Sequence, residues 1–201
     1  MRVLLLNDTD AFAGTERHIL TLAAALDAAG ASASIACPAA SSLAQRARAD
    51  GVPVLALPMR GPRDTASVRA IRARLRSGDA DIVHAHNGRT ALIAAMASLG
   101  GGPGACVFTQ HFLEPAHRAR RGPAAVVYGA AHRWVNRGMQ RFIAISGAAR
   151  EHMLSRGEAP PERIHVVANG IHAPDPATLR DHAGPAVVRQ FLQGGRFHGE
   201  S

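Results

Sequence analysis

Short apolar, often β-branched runs recur along the chain, and each is followed by a longer stretch whose apolar positions return every three or four residues. The short runs predict strands at Val3–Leu6, Ala33–Cys37, Val54–Leu57, Asp81–Ala85, Ala105–Thr109, Arg141–Ile145 and Ile164–Val167. The longer stretches predict helices at Thr15–Ala29, Ser42–Asp50, Asp64–Arg76, Gly88–Leu99, Pro123–Asn136 and Ser146–Arg156. Strand and helix in strict alternation describe an α/β domain, a Rossmann-like open parallel sheet with helices on both faces and right-handed crossovers. Several of the strands are apolar at every position, as strands covered on both faces must be.

The boundaries of these elements have local causes. Gly30 closes the first helix, and Gly51, with Pro53 two residues on, closes the second. Asp64 and Ser146 have the short oxygen-bearing side chains that cap helix N-termini. In the third helix Val68, Ile71 and Leu75 make one apolar face, and Arg69, Arg72 and Arg76 repeat the same spacing beside it. A basic amphipathic helix of this kind suits an anionic membrane surface. The pattern stops after Ile171. We therefore place one domain at residues 1–172 and a linker-like tail at 173–201, rich in Pro and Gly, with room only for a short helix around Ala186–Leu192.

Composition changes this picture little. At 201 residues with 47% apolar side chains, the chain can bury a core. No stretch approaches the ~20 apolar residues of a membrane span, and Val3–Leu6 is too short for the apolar region of a signal peptide, so a cytoplasmic location is expected, with peripheral contact at the inner membrane face as an option. The net charge of +8 raises the question of nucleic acid. However, every one of the 23 basic residues is Arg, which together with abundant Ala suggests codon bias, and aromatic residues at 4% offer few stacking platforms. Specific nucleic-acid binding is not expected. Cys37 and Cys106 each lie in or beside an apolar run and read as buried, reduced thiols.

Polar residues gather at the carboxyl ends of the predicted strands, where open parallel sheets bind ligands. After the first strand, Gly14 opens a helix at Thr15 and Glu16; a helix N-terminus there offers free N–H groups to a phosphate, although the same residues also suit an ordinary tight turn, and Glu16 a first-turn acid. In Asp81–Gly88, His84 and His86 fall on one side of a strand, with His86 and Asn87 at its carboxyl end and His84 deeper, as a hydrogen-bonded core histidine. No carboxylate or third histidine stands at local ligand spacing, so no metal is expected. His111 ends the strand Ala105–Thr109 and can donate to a sugar hydroxyl or phosphate or move a proton, or can be structural. Ser146 ends a further strand at a helix cap, and Asn169-Gly170 makes a turn after the last.

These pieces, in this order, resemble the N-terminal domain of the retaining family-4 glycosyltransferases of the GT-B fold. The resemblance rests on Ala13-Gly14-Thr15-Glu16 for a Gly-Gly-x-Glu turn, His84-Ala85-His86, Thr109-Gln110-His111, Ile143-Ala144-Ile145-Ser146, and Ala168-Asn169-Gly170-Ile171 for a Pro-Asn-Gly-Ile/Val turn. One Gly and one Pro of the pattern are replaced by Ala. The resemblance implies the N-terminal half of a GT-B enzyme that transfers a sugar from a nucleotide-sugar donor to a glycan or lipid-linked acceptor, without a cofactor. It implies that the backbone near Gly14 approaches the donor diphosphate and that His111 sits by the reacting sugar as the catalytic residue. It further implies that Thr15, Glu16, His86, Asn87, Ser146, Asn169 and Gly170 line the substrate cleft, and that Arg69, Arg72 and Arg76 dock on membrane. Members of that family continue for about one more domain, which binds the donor, and residues 172–201 have no room for it. A truncated or frame-shifted gene, or one half of a split enzyme, inactive alone, is the expectation. The competing reading is a non-catalytic module for a phosphorylated or lipid-linked glycan or for anionic membrane.

Overall fold

The computed structural model describes residues 1–61, 63–99, 103–111, 130, 134 and 136–169. All seven expected strands form: β1 (Arg2–Leu6), β2 (Ser32–Cys37), β3 (Val54–Ala56), β4 (Ile82–Ala85), β5 (Ala105–Gln110), β6 (Arg141–Ala144) and β7 (Ile164–Val166). They pair, all parallel, into one sheet in the order β3-β2-β1-β4-β5-β6-β7. The described helices are α1 (Gly14–Ala28), α2 (Ser42–Ala49), α3 (Thr65–Ser77), α4 (Gly88–Ser98) and α5 (Gly147–Ser155), with a 3₁₀ turn at Pro161–Arg163. The helix expected at Pro123–Asn136 falls largely, and the tail at 173–201 wholly, outside the described residues.

Alternation along the strands decides which helices cover which face. Val3 and Leu5 of β1 join Ile35 and Cys37 of β2 against Ile19 and Ala23 of α1 and Leu43, Ala44 and Ala47 of α2. Leu4 and Leu6 point to the other face, where Val83, Ala85, Cys106, Phe108 and Phe142 meet Val68, Ile71 and Leu75 of α3, Ala91 to Ala97 of α4, and Ala149 and Met153 of α5. One face thus carries α1 and α2 and the other α3, α4 and α5, as a doubly wound sheet requires. Cys37 and Cys106 are buried, free thiols; burial raises the proton affinity of both, that of Cys106 to about 11, so neither is a nucleophile near neutrality.

The anticipated stops and caps hold the elements in place. Gly30 and Gly51 take the left-handed conformation, with φ of 78° and 75°. Asp64 accepts from Ser67 N–H at 3.1 Å and Ser146 from Ala149 N–H at 3.1 Å. Residues Met1–Ala168 form one compact unit. Among the described residues, no helix is long and apolar enough to cross a membrane.

Candidate functional site

Strand order reverses at β1: β2 and β3 run to one side, β4 and beyond to the other. A crevice forms at such a switch point, beyond the carboxyl ends of the strands. The segments after β1 and β4 border it. Asn87, the N-cap of α4, accepts from Arg89 N–H at 3.1 Å and Thr90 N–H at 3.0 Å, and its Nδ2 donates to Asp8 Oδ1 at 2.6 Å. The other Asp8 oxygen takes the Arg89 guanidinium at 2.6 Å. The loop after β1 is thereby tied across the switch point to the start of α4.

Glu16 ties that same loop to α1. Its carboxylate is buried at 2% exposure. Oε1 accepts from Asn7 Nδ2 at 2.9 Å and from the Thr9 hydroxyl, and Oε2 from Ala13 N–H at 2.8 Å. Burial alone would raise its proton affinity, but the hydrogen bonds from Thr9, Asn7 and Ala13 outweigh it and hold the carboxyl below its usual range. Glu16 and Asn87, both foreseen as substrate ligands, spend their polar atoms on the frame of the site.

The histidines behave differently. Val83 and Ala85 of β4 belong to the α3–α4 face, so His84 and His86 turn toward α1. His84 is buried and its Nε2 meets Thr109 Oγ1 at 2.7 Å, the satisfied core histidine that its depth in the strand implies. His86 is 1% exposed, and its Nδ1 lies 3.2 Å from Nε2 of His111. His18, one turn into α1, completes the group, its ring centroid 5.6 Å from that of His86 and 4.9 Å from that of His111. The His84 ring lies 4.2 Å from that of His86, tilted by 31°. Burial first, and then the proximity of the other rings, lowers the proton affinity of His84 to about 3, of His111 to about 4 and of His86 well below its ordinary value; burial lowers that of His18. At neutral pH all four rings are uncharged. No sequence signal within β4 or β5 pointed to His18, because it arrives from a separate element; its position one turn beyond Gly14, on the helix that starts at the ligand edge, was the clue available.

Gly14 is the first residue of α1. A Cβ there would meet nothing within 4 Å, and its φ is not in the left-handed range, so nothing in the packing of this chain demands glycine. The open space lies over the helix N-terminus. Thr15 beside it is half-buried. Next to this edge a groove of about 610 Å³ runs past the carboxyl ends of β1, β2 and β3, bordered by Asp8, Asp10, Pro38, Met59, Arg60 and Arg89 among others. Met59 adopts a left-handed φ of 51°, rare for a side chain of this size, and is held there by Ser67 Oγ accepting its N–H at 3.2 Å.

The other expected site residues are placed as follows. Arg72 does not extend from α3 to solvent with Arg69 and Arg76: its Nη2 and Nε donate to the carbonyls of Met96 at 2.7 Å and Ala97 at 3.2 Å. The bare carbonyls at the end of α4 are a near, negatively polarised acceptor for a guanidinium, so the basic face foreseen for membrane keeps Arg69 and Arg76 exposed and loses Arg72. Ser146 caps α5 and is half-buried. Asn169 is exposed, and Gly170 lies outside the described residues. The statement that no third ligand accompanies His86 holds only for local spacing, since the fold supplies both His18 and His111.

An all-parallel, doubly wound sheet whose polar groups gather at a switch point defines an α/β domain of the Rossmann-like class. The family model for Glycosyltransferase Family 4 matches residues 12–173, and the chain belongs to that family. Its fold is that of about one half of the solved GT-B glycosyltransferases it resembles. Anabaena HepE, solved with UDP-glucose, superposes with a TM-score of 0.69 at 18% identity over 97% of this chain and 50% of its own. A glycosyltransferase from Rickettsia africae gives 0.64 at 15% identity, over 96% of this chain and 49% of its own. The lipopolysaccharide outer core galactosyltransferase WaaB gives 0.62 at 16% identity, over 85% and 46%. The chain thus spans about half the length of these structures. No curated protein matches it.

Proposed function

We propose that this chain forms the acceptor-side half of a glycosyltransferase that moves a sugar from a nucleotide-sugar donor to a glycan or lipid-linked acceptor, and that it acts together with a donor-binding half outside these 201 residues. The observation that carries the reading is the convergence of the α1 N-terminus, His86 and His111 on one edge of the sheet. It is supported by the family match and by the half-length likeness to GT-B enzymes.

In this reading the first turn of α1, kept bare by Gly14, takes the donor diphosphate on its free N–H groups. His111, neutral and half-buried, bonds a hydroxyl of the transferred sugar as it develops charge. His86 fixes the His111 ring through the 3.2 Å contact and acts as a positioning residue. Asp8, Asp10 and Arg89 face the groove in which the acceptor hydroxyls lie. Glu16 and Asn87 hold the loop that carries Asp8.

The test is to supply this chain with the donor-binding half of a Family 4 enzyme and follow nucleoside diphosphate release. His111→Ala should lower kcat by roughly 10²–10³-fold with a much smaller change in KM. Equal kcat for wild type and His111→Ala in an assembly that does transfer sugar removes His111 from the reaction.

A further inference from the structure

The function above uses His111 and its contact with His86 and leaves His18 unexplained. His86 is almost wholly buried and in hydrogen-bond contact with His111 alone, and its Nε2 has no hydrogen-bond partner among the described residues. The nitrogen that faces the other histidines is Nδ1, and across 3.2 Å it meets another ring nitrogen, Nε2 of His111. His18 and His111, from α1 and the end of β5, form a triangle with it, their ring centroids 4.9 Å from each other and 5.6 and 5.4 Å from that of His86, and each of the three rings offers a nitrogen within 4.8 Å of the others.

We propose that His18, His86 and His111 form a binding site for a divalent transition-metal ion of the zinc type, with a fourth coordination position open to water or a small ligand. Three imidazoles with one open position are a common zinc set, and imidazole also suits cobalt, nickel and copper. Two nitrogens bound at about 2.0–2.1 Å on a tetrahedral ion stand roughly 3.3–3.4 Å apart. His86 Nδ1 and His111 Nε2 are already 3.2 Å apart, so that edge of the tetrahedron exists before the ion arrives. His18 is the ring that must close in, and it is half-buried on the first turns of α1.

The surroundings favour a cation over a proton. A metal needs neutral imidazole, and burial supplies it at neutral pH. The Glu16 carboxylate lies close enough to His111 to oppose that loss of proton affinity, and the same negative charge attracts a metal ion. The site is assembled from α1, β4 and β5, so an ion there would also clamp the first helix to the sheet.

The experiment uses the untagged, chelator-treated chain, titrated with Co²⁺ and then Zn²⁺. One equivalent of Co²⁺ should give the intense visible bands of a four-coordinate site, displaced by one equivalent of Zn²⁺, and Zn²⁺ should raise Tm. His18→Ala and His111→Ala, both at half-buried positions and checked by circular dichroism, should each weaken binding by at least about tenfold. The double variant should lose both the bands and the Tm rise, and His165→Gln, on the exposed β7, should keep them. Binding unchanged in the double variant would assign the ion to other histidines and overturn the proposal, as would a weak six-coordinate spectrum in the wild type. Because the readout is binding to the chain alone, its outcome is independent of whether the chain takes part in sugar transfer.

Discussion

Two polar clusters share the carboxyl edge of the sheet, and they are built on opposite principles. Around Glu16 both carboxylate oxygens are used: Asn7, Thr9 and Ala13 all donate to one buried carboxylate. Around His86 the rings crowd together, and Nε2 is left without a partner among the described residues. A saturated cluster holds a fold together, because each group has already exchanged water for protein. An unsaturated one costs stability in the free chain unless a water, an ion or a ligand meets it. The sequence motif Ala13-Gly14-Thr15-Glu16 and the motif His84-Ala85-His86 look equally functional on paper. Their hydrogen bonding separates them into frame and site.

Acid should expose the contrast most strongly. The four histidines are depressed in the folded chain, so between pH 6.5 and about 3 the unfolded chain binds more protons and stability falls as pH falls. His84, facing His18 and His111, carries this effect, and a fully shifted ring costs up to about 1.4 kcal/mol per pH unit below its ordinary value. Glu16, depressed as a carboxylate, keeps its contribution above its unfolded pKa and loses it only at lower pH, as the medium passes its folded value. Tm measured from pH 7 downward should therefore drop in the histidine range first. A Tm flat from pH 7 to 5 contradicts the neutral-ring description.

Deleting one member of each cluster is the next sharpest comparison. Glu16→Ala strips three donors of a buried charged acceptor and should cost about 2–4 kcal/mol in urea unfolding. His111→Ala removes a half-buried ring and leaves Nδ1 of the buried His86 without its partner, and should cost about 1–2 kcal/mol. If His111→Ala proves as destabilising as Glu16→Ala, the division into frame and site fails.

The smallest effect concerns Gly14. With open space around a built Cβ, Gly14→Ala should leave the fold intact or stabilise it by a few tenths to about 1 kcal/mol, through lower chain entropy. In an assembly that transfers sugar, the same methyl should weaken donor binding, because it covers the N–H groups of the first turn. Destabilisation by Gly14→Ala would mean that the glycine serves the fold and not the ligand.

Much of the site's scaffolding was legible in the chain. The seven strands, the stops at Gly30 and Gly51, the caps at Asp64 and Ser146 and the buried character of His84 all follow from periodicity and turn chemistry. The strained Met59 was not legible, because its φ is set by Ser67, eight residues on and in another element. Arg72 was misplaced for a related reason. Its spacing with Arg69 and Arg76 puts it on a basic face, yet the end of α4 offers two carbonyls within reach.

By itself, the sequence determined to within about a residue where each of the described strands and helices begins and ends, which side of them is apolar, and that polar residues fall at the strands' carboxyl ends. These properties depend on residues within a turn or two of one another, so local pattern is sufficient. Tertiary structure decided which of those polar residues meet. His18, His86 and His111 come together only because α1 covers the face of β4 and β5 toward which the two strand histidines turn, and Asp8 reaches Asn87 and Arg89 only because β1 and β4 are neighbours. Contacts between segments so far apart in the chain depend on strand order and crossover direction, which no local spacing encodes.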